Sequence, residues 1–128
     1  MTDQLDANKT LVRKFYDLAF NQQRPAAAAD QYLGQSYLQH HPGVADGAAP
    51  FVEFATGFVS AFPKLRVHFK RLVAEGELVV LHSHFIRQPG DRGIAVVDIF
   101  RVSDGKLVEH WDVLQEVPEA SDNSRTMF

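Results

Sequence analysis

A chain of 128 residues, 45% hydrophobic and 23% charged, has the size and balance of one globular domain. A net charge of -3 with no lysine or arginine cluster argues against nucleic acid or an anionic membrane as partner. No cysteine is present, which excludes disulfides, thiolate metal sites and cysteine nucleophiles.

The start, Met1 to Lys9, is polar and lacks the apolar stretch of a signal peptide. No apolar run approaches membrane-spanning length, so a cytoplasmic protein is the expectation. Leu11, Val12, Phe15, Tyr16, Leu18 and Ala19 recur at helical spacing, which predicts an amphipathic helix over 8–21 capped by Asn8 or Asp6. Pro25 opens a short alanine-rich helical segment that Gly34 closes. Ser36 to His41 is a short stretch ending at Pro42, and Asp46-Gly47 makes a turn or cap. From Pro50 a third helix carries Phe51, Phe54, Ala55, Phe58, Val59 and Phe62 as one apolar stripe, and Pro63 stops it.

The period then changes to two. Leu65, Val67 and Phe69 alternate with Arg66, His68 and Lys70, the pattern of a half-buried strand. After a turn at Glu75-Gly76, Leu78 to Arg87 forms a second strand. The loop from Gln88 to Gly93 leads to a third, Ile94 to Val102. Ser103-Asp104-Gly105 turns the chain into the last strand, Lys106 to Val117, and a polar, loose tail follows Pro118. Helices first and hairpin-linked strands after predict an α+β fold with an antiparallel sheet. One domain spans 1–128, with its core at about 8–118. The two central strands are apolar on both faces, with Val79, Leu81 and Phe85 on one side and Leu78 and Val80 on the other. Helices can cover one face, and an oligomer interface could cover the other.

Strand parity collects the polar residues that carry chemistry. His82 and His84 share a face, as do Val96, Asp98 and Phe100, and as do His110, Asp112 and Leu114. If Arg87 faces Gly93 across a simple hairpin, position 82 lies opposite 98. If Ser103-Asp104-Gly105 is a three-residue connection, position 98 lies opposite 110. His82, Asp98 and His110 then form one row, with His84 and Asp112 in the adjacent row. A bulge in any strand would scatter this arrangement. A carboxylate in an apolar pocket is a usable general base, and histidine can donate or accept near neutral pH.

Each residue also has a plainer role open to it. Asp98 could be a buried structural acceptor, His82 and His84 exposed polar positions, and His110 and Asp112 a surface pair. His68 shares parity with Arg66 and Lys70 and is expected in solvent. One of His40 and His41 could look into a cavity. Trp111 faces away from the histidine row as a packing or interface residue. The phenylalanine stripe is core first and pocket wall second. The histidines and aspartates could also ligate a metal, although no His-x-x-x-His helix pattern is present. No glycine-rich phosphate loop and no Gly-x-Ser-x-Gly elbow occurs.

Three stretches resemble the SnoaL-like polyketide cyclases of the ketosteroid isomerase-like, NTF2-like superfamily. They are Tyr37-Leu38-Gln39-His40-His41-Pro42 with Asp46-Gly47, the hairpin from Ala74 to His84, and Val97 to Arg101 with Asp104 to Gln115. The resemblance spans roughly residues 8–118. It implies a cone-shaped fold, a bent sheet wrapped around helices with a deep pocket between, and dimerisation through the sheet's outer face. It also implies acid/base chemistry without metal or organic cofactor, with Asp98 as the acid/base group. His82, His84 and His110 would be its donors or orienting partners. His40 would sit at the pocket rim, with His84, Asp112, Phe54, Phe58 and Phe100 contacting substrate. The leading expectation is a cofactor-independent enzyme that enolises a small hydrophobic carbonyl compound, in an aldol-type cyclisation or isomerisation. The alternatives are a non-catalytic binding protein for a hydrophobic small molecule and a His/Asp metal-dependent enzyme.

Overall fold

The computed structural model describes residues 2–128. Helix α1 (Thr2–Tyr16) runs into a π-helical turn at Asp17–Asn21. Helix α2 (Pro25–Tyr32) leads directly into strand β1 (Leu33–Gln39), and α3 (Ala48–Ala61) follows. Four strands complete the chain: β2 (Arg66–Glu75), β3 (Leu78–Ile86), β4 (Ile94–Ser103) and β5 (Lys106–Glu116). The helices pack on one side of a curved, five-stranded sheet of order β1-β5-β4-β3-β2. Among the described residues no helix is long and apolar enough to cross a membrane.

Side-chain spacing explains the packing. Val12, Phe15, Tyr16, Ala19 and Phe20 recur at helical intervals and are all buried. Phe15 sits at the centre of the core, with its ring 5.0 Å from Phe51 and 6.0 Å from Phe100. Burying one such ring contributes about 1.5–3 kcal/mol. The stripe on α3 divides in two. Phe51, Ala55 and Val59, four residues apart, enter the core, while Phe54, Phe58 and Phe62 lie on the adjoining, less buried side. Asn21 ties the end of the π-helical turn to the sheet: its side chain accepts from Val67 N–H at 2.8 Å and donates to the Val67 carbonyl at 3.1 Å.

The helix predicted from residue 8 begins at Thr2. Asn8 is therefore not a cap; it is buried inside α1 and accepts from the Gln4 side chain at 2.8 Å. Gly34 does not end a helix, because α2 stops at Tyr32 and Gly34 lies in β1. β1 runs parallel to β5, so the otherwise antiparallel sheet has one parallel edge. Its Leu33 and Tyr37 are core residues. The C-terminal segment, expected to be loose, returns across the outer sheet face, where the Phe128 ring stacks on His84 at 4.0 Å.

Two hairpins set the register, and both differ from the simple expectation. Between β3 and β4, Phe85 pairs with Ile94 and Leu81 with Asp98, one residue out from the predicted pairing. The loop is the cause. Arg87 N–H donates to the Asp91 carboxylate at 2.9 Å instead of to a cross-strand partner. The Arg87 guanidinium also binds Asp91 and Glu116, at 2.8 and 2.6 Å. Between β4 and β5, Asp104 and Gly105 both have positive φ, 50° and 72°, and Ser103 pairs with Lys106. That is a two-residue turn of the primed kind, not a three-residue connection. One extra residue then bulges from β5, between the pairs Val102–Leu107 and Arg101–Glu109. Turn and bulge each move the register by one residue, and together they move it by two. Asp98 faces Asp112 and Phe100 faces His110, and all four stay on the predicted face.

Gly93 is the position where backbone and packing leave no freedom. Its φ is +84°, and a Cβ there would lie 2.3 Å from the Phe85 carbonyl oxygen. Gly93→Ala should therefore lower stability by at least about 1–3 kcal/mol. Urea unfolding of variant and wild type measures this, and an unchanged midpoint would refute the tight approach.

Candidate active site

Asp98 is the centre of the concave side of the sheet. It is 0% exposed. Its Oδ1 accepts from the Tyr16 hydroxyl at 2.7 Å and lies 2.7 Å from His110 Nε2. Its Oδ2 is buried with no hydrogen-bond partner. Tyr16 comes from the last turn of α1, and His110 from β5, diagonally across the ladder from Asp98. Burial, and after it the Asp98 charge, pushes the Tyr16 phenol well above its ordinary pKa. Tyr16 therefore stays a neutral donor. Tyr37 is raised likewise, first by burial and then by Asp98.

Asp112 stands directly opposite Asp98 on β5, with Oδ2 3.9 Å from His110 Nε2. Its pKa is raised: burial is the largest cause, His110 pulls the other way, and Asp98 adds to the rise. Asp98, His110 and Asp112 offer atoms within 4.8 Å of one another, the spacing at which a metal ion can be considered. Ligands of one tetrahedral ion with bonds of about 2.0–2.2 Å would sit roughly 3.3 Å apart. The 2.7 Å between Nε2 and Oδ1 is instead the length of a charge-assisted hydrogen bond.

Asp98 and Asp112 border a pocket with about 460 Å³ of empty space, mouth included. Phe20, Phe54, Phe58 and Phe85 supply most of its aromatic wall, and His41 also lines it. Gly43 N–H donates to His41 Nδ1 at 3.0 Å, so the proton of the neutral ring lies on Nε2. The pocket is thus walled by apolar side chains, with Tyr16, His41, Asp98 and Asp112 as its polar lining residues.

The predicted row is half assembled. Asp98 and His110 meet, Asp112 joins them, and Phe54 and Phe58 line the pocket. His82 and His84 do not take part. The one-residue register difference in the β3–β4 hairpin turns both to the outer face. There His82 Nδ1 accepts from Arg71, and His84 Nε2 donates to the Arg92 carbonyl at 2.7 Å. Burial, and then Arg71, lowers the His82 pKa. His40 is also displaced from the expected rim. It bonds Glu109 at 2.8 Å and stacks on Trp111 at 4.7 Å, both on the outer face. Its neighbour His41 is the one that lines the cavity. Phe100 is 0% exposed and supports His110 from the core, at 4.7 Å between rings, rather than lining the pocket. Sequence reasoning missed Tyr16 and Gln39 as site residues. Tyr16 was hidden as one more member of an apolar helix stripe. Gln39 is singled out only by its place beside the two histidines in the resemblance motif.

Two outcomes follow from this geometry. Tyr16→Phe leaves a buried carboxylate short of one donor and should cost about 1–3 kcal/mol in urea unfolding; no loss would mean that the bond contributes nothing net. For Asp112, a raised folded pKa means that the folded state binds the proton more readily than the unfolded one. Stability then falls as pH rises from the unfolded carboxylate value through the raised folded value. Asp112→Asn should therefore be more stable than wild type at neutral pH, with the gap closing in acid. A gap independent of pH would contradict the burial of that charge.

Comparison with known proteins bears on the family and the fold. The sequence matches the family model described as SnoaL-like polyketide cyclase over residues 10–122. No curated protein sequence matches the chain. Among solved structures, a suggested polyketide cyclase from Acidithiobacillus ferrooxidans is 19% identical with a TM-score of 0.72, over 84% of this chain and 87% of that one. TsrD from Streptomyces laurentii is 23% identical with a TM-score of 0.69, over 85% and 88% of the two chains. AclR, a suggested hydroxylase from Streptomyces galilaeus, is 22% identical with a TM-score of 0.69, over 88% and 81%. Identities this low establish a shared fold. With the family match across nearly the whole chain, the protein belongs to the SnoaL-like polyketide cyclase family.

Proposed function

We propose that the protein is a cofactor-independent acid/base enzyme that enolises a small, hydrophobic carbonyl compound, in an aldol-type ring closure or an isomerisation. The observation that carries this reading is Asp98 Oδ2. It is a buried carboxylate oxygen with no partner, on a residue that borders an aromatic-lined pocket. A buried polar atom left unpaired is costly in a fold that could have paired it, and proton transfer gives it a use.

In this reading Oδ2 takes a proton from the carbon next to the substrate carbonyl. The C–H electron pair moves into the new C=C bond, and the carbonyl π pair moves to oxygen. His41 Nε2–H is the pocket donor available to the developing oxygen anion. In an aldol closure the enolate re-forms its carbonyl as its C=C pair makes a C–C bond to a second carbonyl of the same molecule, whose π pair goes to its oxygen. That alkoxide takes the proton back from Asp98. In an isomerisation Asp98 returns the proton to a different carbon. The aromatic walls select an apolar substrate and limit its size. Pairing of two copies through the outer sheet face belongs to the same proposal. Exposed Val97 and Val113 on that face support it.

Deuterium incorporation from heavy water tests the chemistry. A panel of apolar cyclic ketones and β-diketones is incubated with protein, and exchange at the α-carbon is followed by mass spectrometry. Exchange should exceed the buffer rate and fall by at least about 100-fold in Asp98→Asn, with the fold checked by circular dichroism. Undiminished exchange in that variant would eliminate Asp98 as the base. Saturable binding of the panel without any exchange would favour the non-catalytic binding protein.

A further inference from the structure

Gln39 ends β1 and pairs with His110 across the parallel ladder. Its side-chain oxygen lies 3.0 Å from the backbone N–H of His41 and 2.7 Å from His110 Nδ1. The first contact settles which end of the amide is oxygen, because a backbone N–H can only donate. The amide nitrogen is then the donor end of the side chain. A ring nitrogen 2.7 Å from an amide oxygen must carry hydrogen, so His110 holds a proton on Nδ1.

That proton constrains the other side of the ring. A neutral imidazole carries only one, which would leave Nε2 bare with its lone pair aimed at Asp98 Oδ1, 2.7 Å away. Two lone pairs do not approach so closely, so a proton lies between Nε2 and Oδ1. The Tyr16 hydroxyl already donates to the same oxygen at 2.7 Å. The shared proton rests on Nε2 or on Oδ1, and a second short donor at Oδ1 favours the ionised carboxylate with the proton on Nε2.

We propose that Gln39 is a positioning residue that holds His110 as a doubly protonated imidazolium and thereby keeps Asp98 an ionised carboxylate with Oδ2 free. The surroundings favour that cation. The ring lies 4.7 Å from Phe100, within about 6 Å, the reach of cation–π attraction; the Tyr37 ring is 6.4 Å away. The titratable groups around it are Asp98 from β4, Asp112 beside it on β5, Tyr16 from α1 and Tyr37 from β1. Both tyrosines stay neutral, so the ring faces two carboxyls. His41, in the connection after β1, acts on Asp112. The parallel edge strand thus reaches the reacting carboxylate through one histidine, and Gln39 touches no substrate.

The consequence for turnover rests on the function proposed above, but the protonation state does not. The test is long-range proton–nitrogen NMR of the full chain labelled with 15N-histidine, at one neutral pH without ligand. His110 is assigned by the signal lost in His110→Asn. Wild type should show both His110 nitrogens in the protonated range. Gln39→Leu, which removes the acceptor, should convert the ring to the neutral form with hydrogen on Nε2 alone. Gln39→Glu, which keeps an acceptor oxygen, should restore the wild-type signature. A bare Nε2 in wild type overturns the proposal at once, even if the variants fail to fold. An unchanged His110 in folded Gln39→Leu overturns it equally. Where the deuterium assay reports exchange, Gln39→Leu should lower kcat by at least about tenfold, since a wrong tautomer is costly to enzymes of this logic. KM should stay unchanged, and Gln39→Glu should recover the rate. The NMR signature without exchange in wild type would refute the enzymatic reading and leave the role of Gln39 standing.

Discussion

The burial of one carboxylate organises this molecule. Removing an ionised carboxyl from water costs several kcal/mol even after the protein relaxes, and only good partners offset it. Asp98 has two, both on Oδ1, and they come from opposite sides of the structure. Tyr16 belongs to the helix layer and His110 to the sheet. The pair of bonds therefore fixes how α1 sits on β4 and β5, in addition to the aromatic packing around Phe15. The same arrangement leaves Oδ2 with nothing. A fold optimised only for stability would fill that place with an apolar side chain of similar volume. The unpaired oxygen is the observation on which the proposed role of this carboxylate as a base rests.

How far this was legible depends on where along the strands the information lies. Alternation in β3, β4 and β5 is local, and it grouped Asp98 with Val96 and Phe100 on β4 and His110 with Asp112 on β5; joining the two groups took an assumed register. Register is not local, because it is set by turns and bulges. The primed turn at Asp104-Gly105 and the bulge in β5 each shifted the pairing by one residue, and their sum preserved the face while exchanging the partner. In the β3–β4 hairpin there was a single shift and nothing to cancel it, so His82 and His84 went to the other side. The cause there is an ion pair. Arg87 and Asp91 close the loop through backbone and side chain together, a choice that Gln-Pro-Gly-Asp-Arg-Gly does not announce.

The edge strand was the least legible element. β1 contains Gly34, is only seven residues long, and pairs in parallel with a strand some seventy positions later. Its burial follows no clean alternation, because the ladder is irregular between Leu33 and Leu38. Nothing within Leu33 to Gln39 separates it from a loop, yet its last residue is bonded to His110. The helix stripe was easier. Offsets of three and four residues located the face of α3 correctly, but a stripe more than 100° wide serves two surfaces. Phe51, Ala55 and Val59 took the core, and Phe54 and Phe58 were left to line the pocket.

Six histidines gave the sequence its suggestion of a site, and the structure sorts them by what holds the far side of each ring. His84 gives its Nε2 hydrogen to a backbone carbonyl, and His40 binds Glu109, so both are engaged on the outer face. His41 receives a backbone N–H on Nδ1 and keeps its own hydrogen on Nε2. His110 gives its Nδ1 hydrogen to Gln39 and turns Nε2 toward Asp98. Where a backbone group makes the contact, its polarity is beyond doubt, and the tautomer follows from it. Gln39 extends that certainty by one residue, since its oxygen is fixed by the His41 N–H. The proton inventory of the pocket is thus written in main-chain geometry. Identical residues on one strand can act as surface polar groups or as part of a proton-transfer site according to a register difference of one residue.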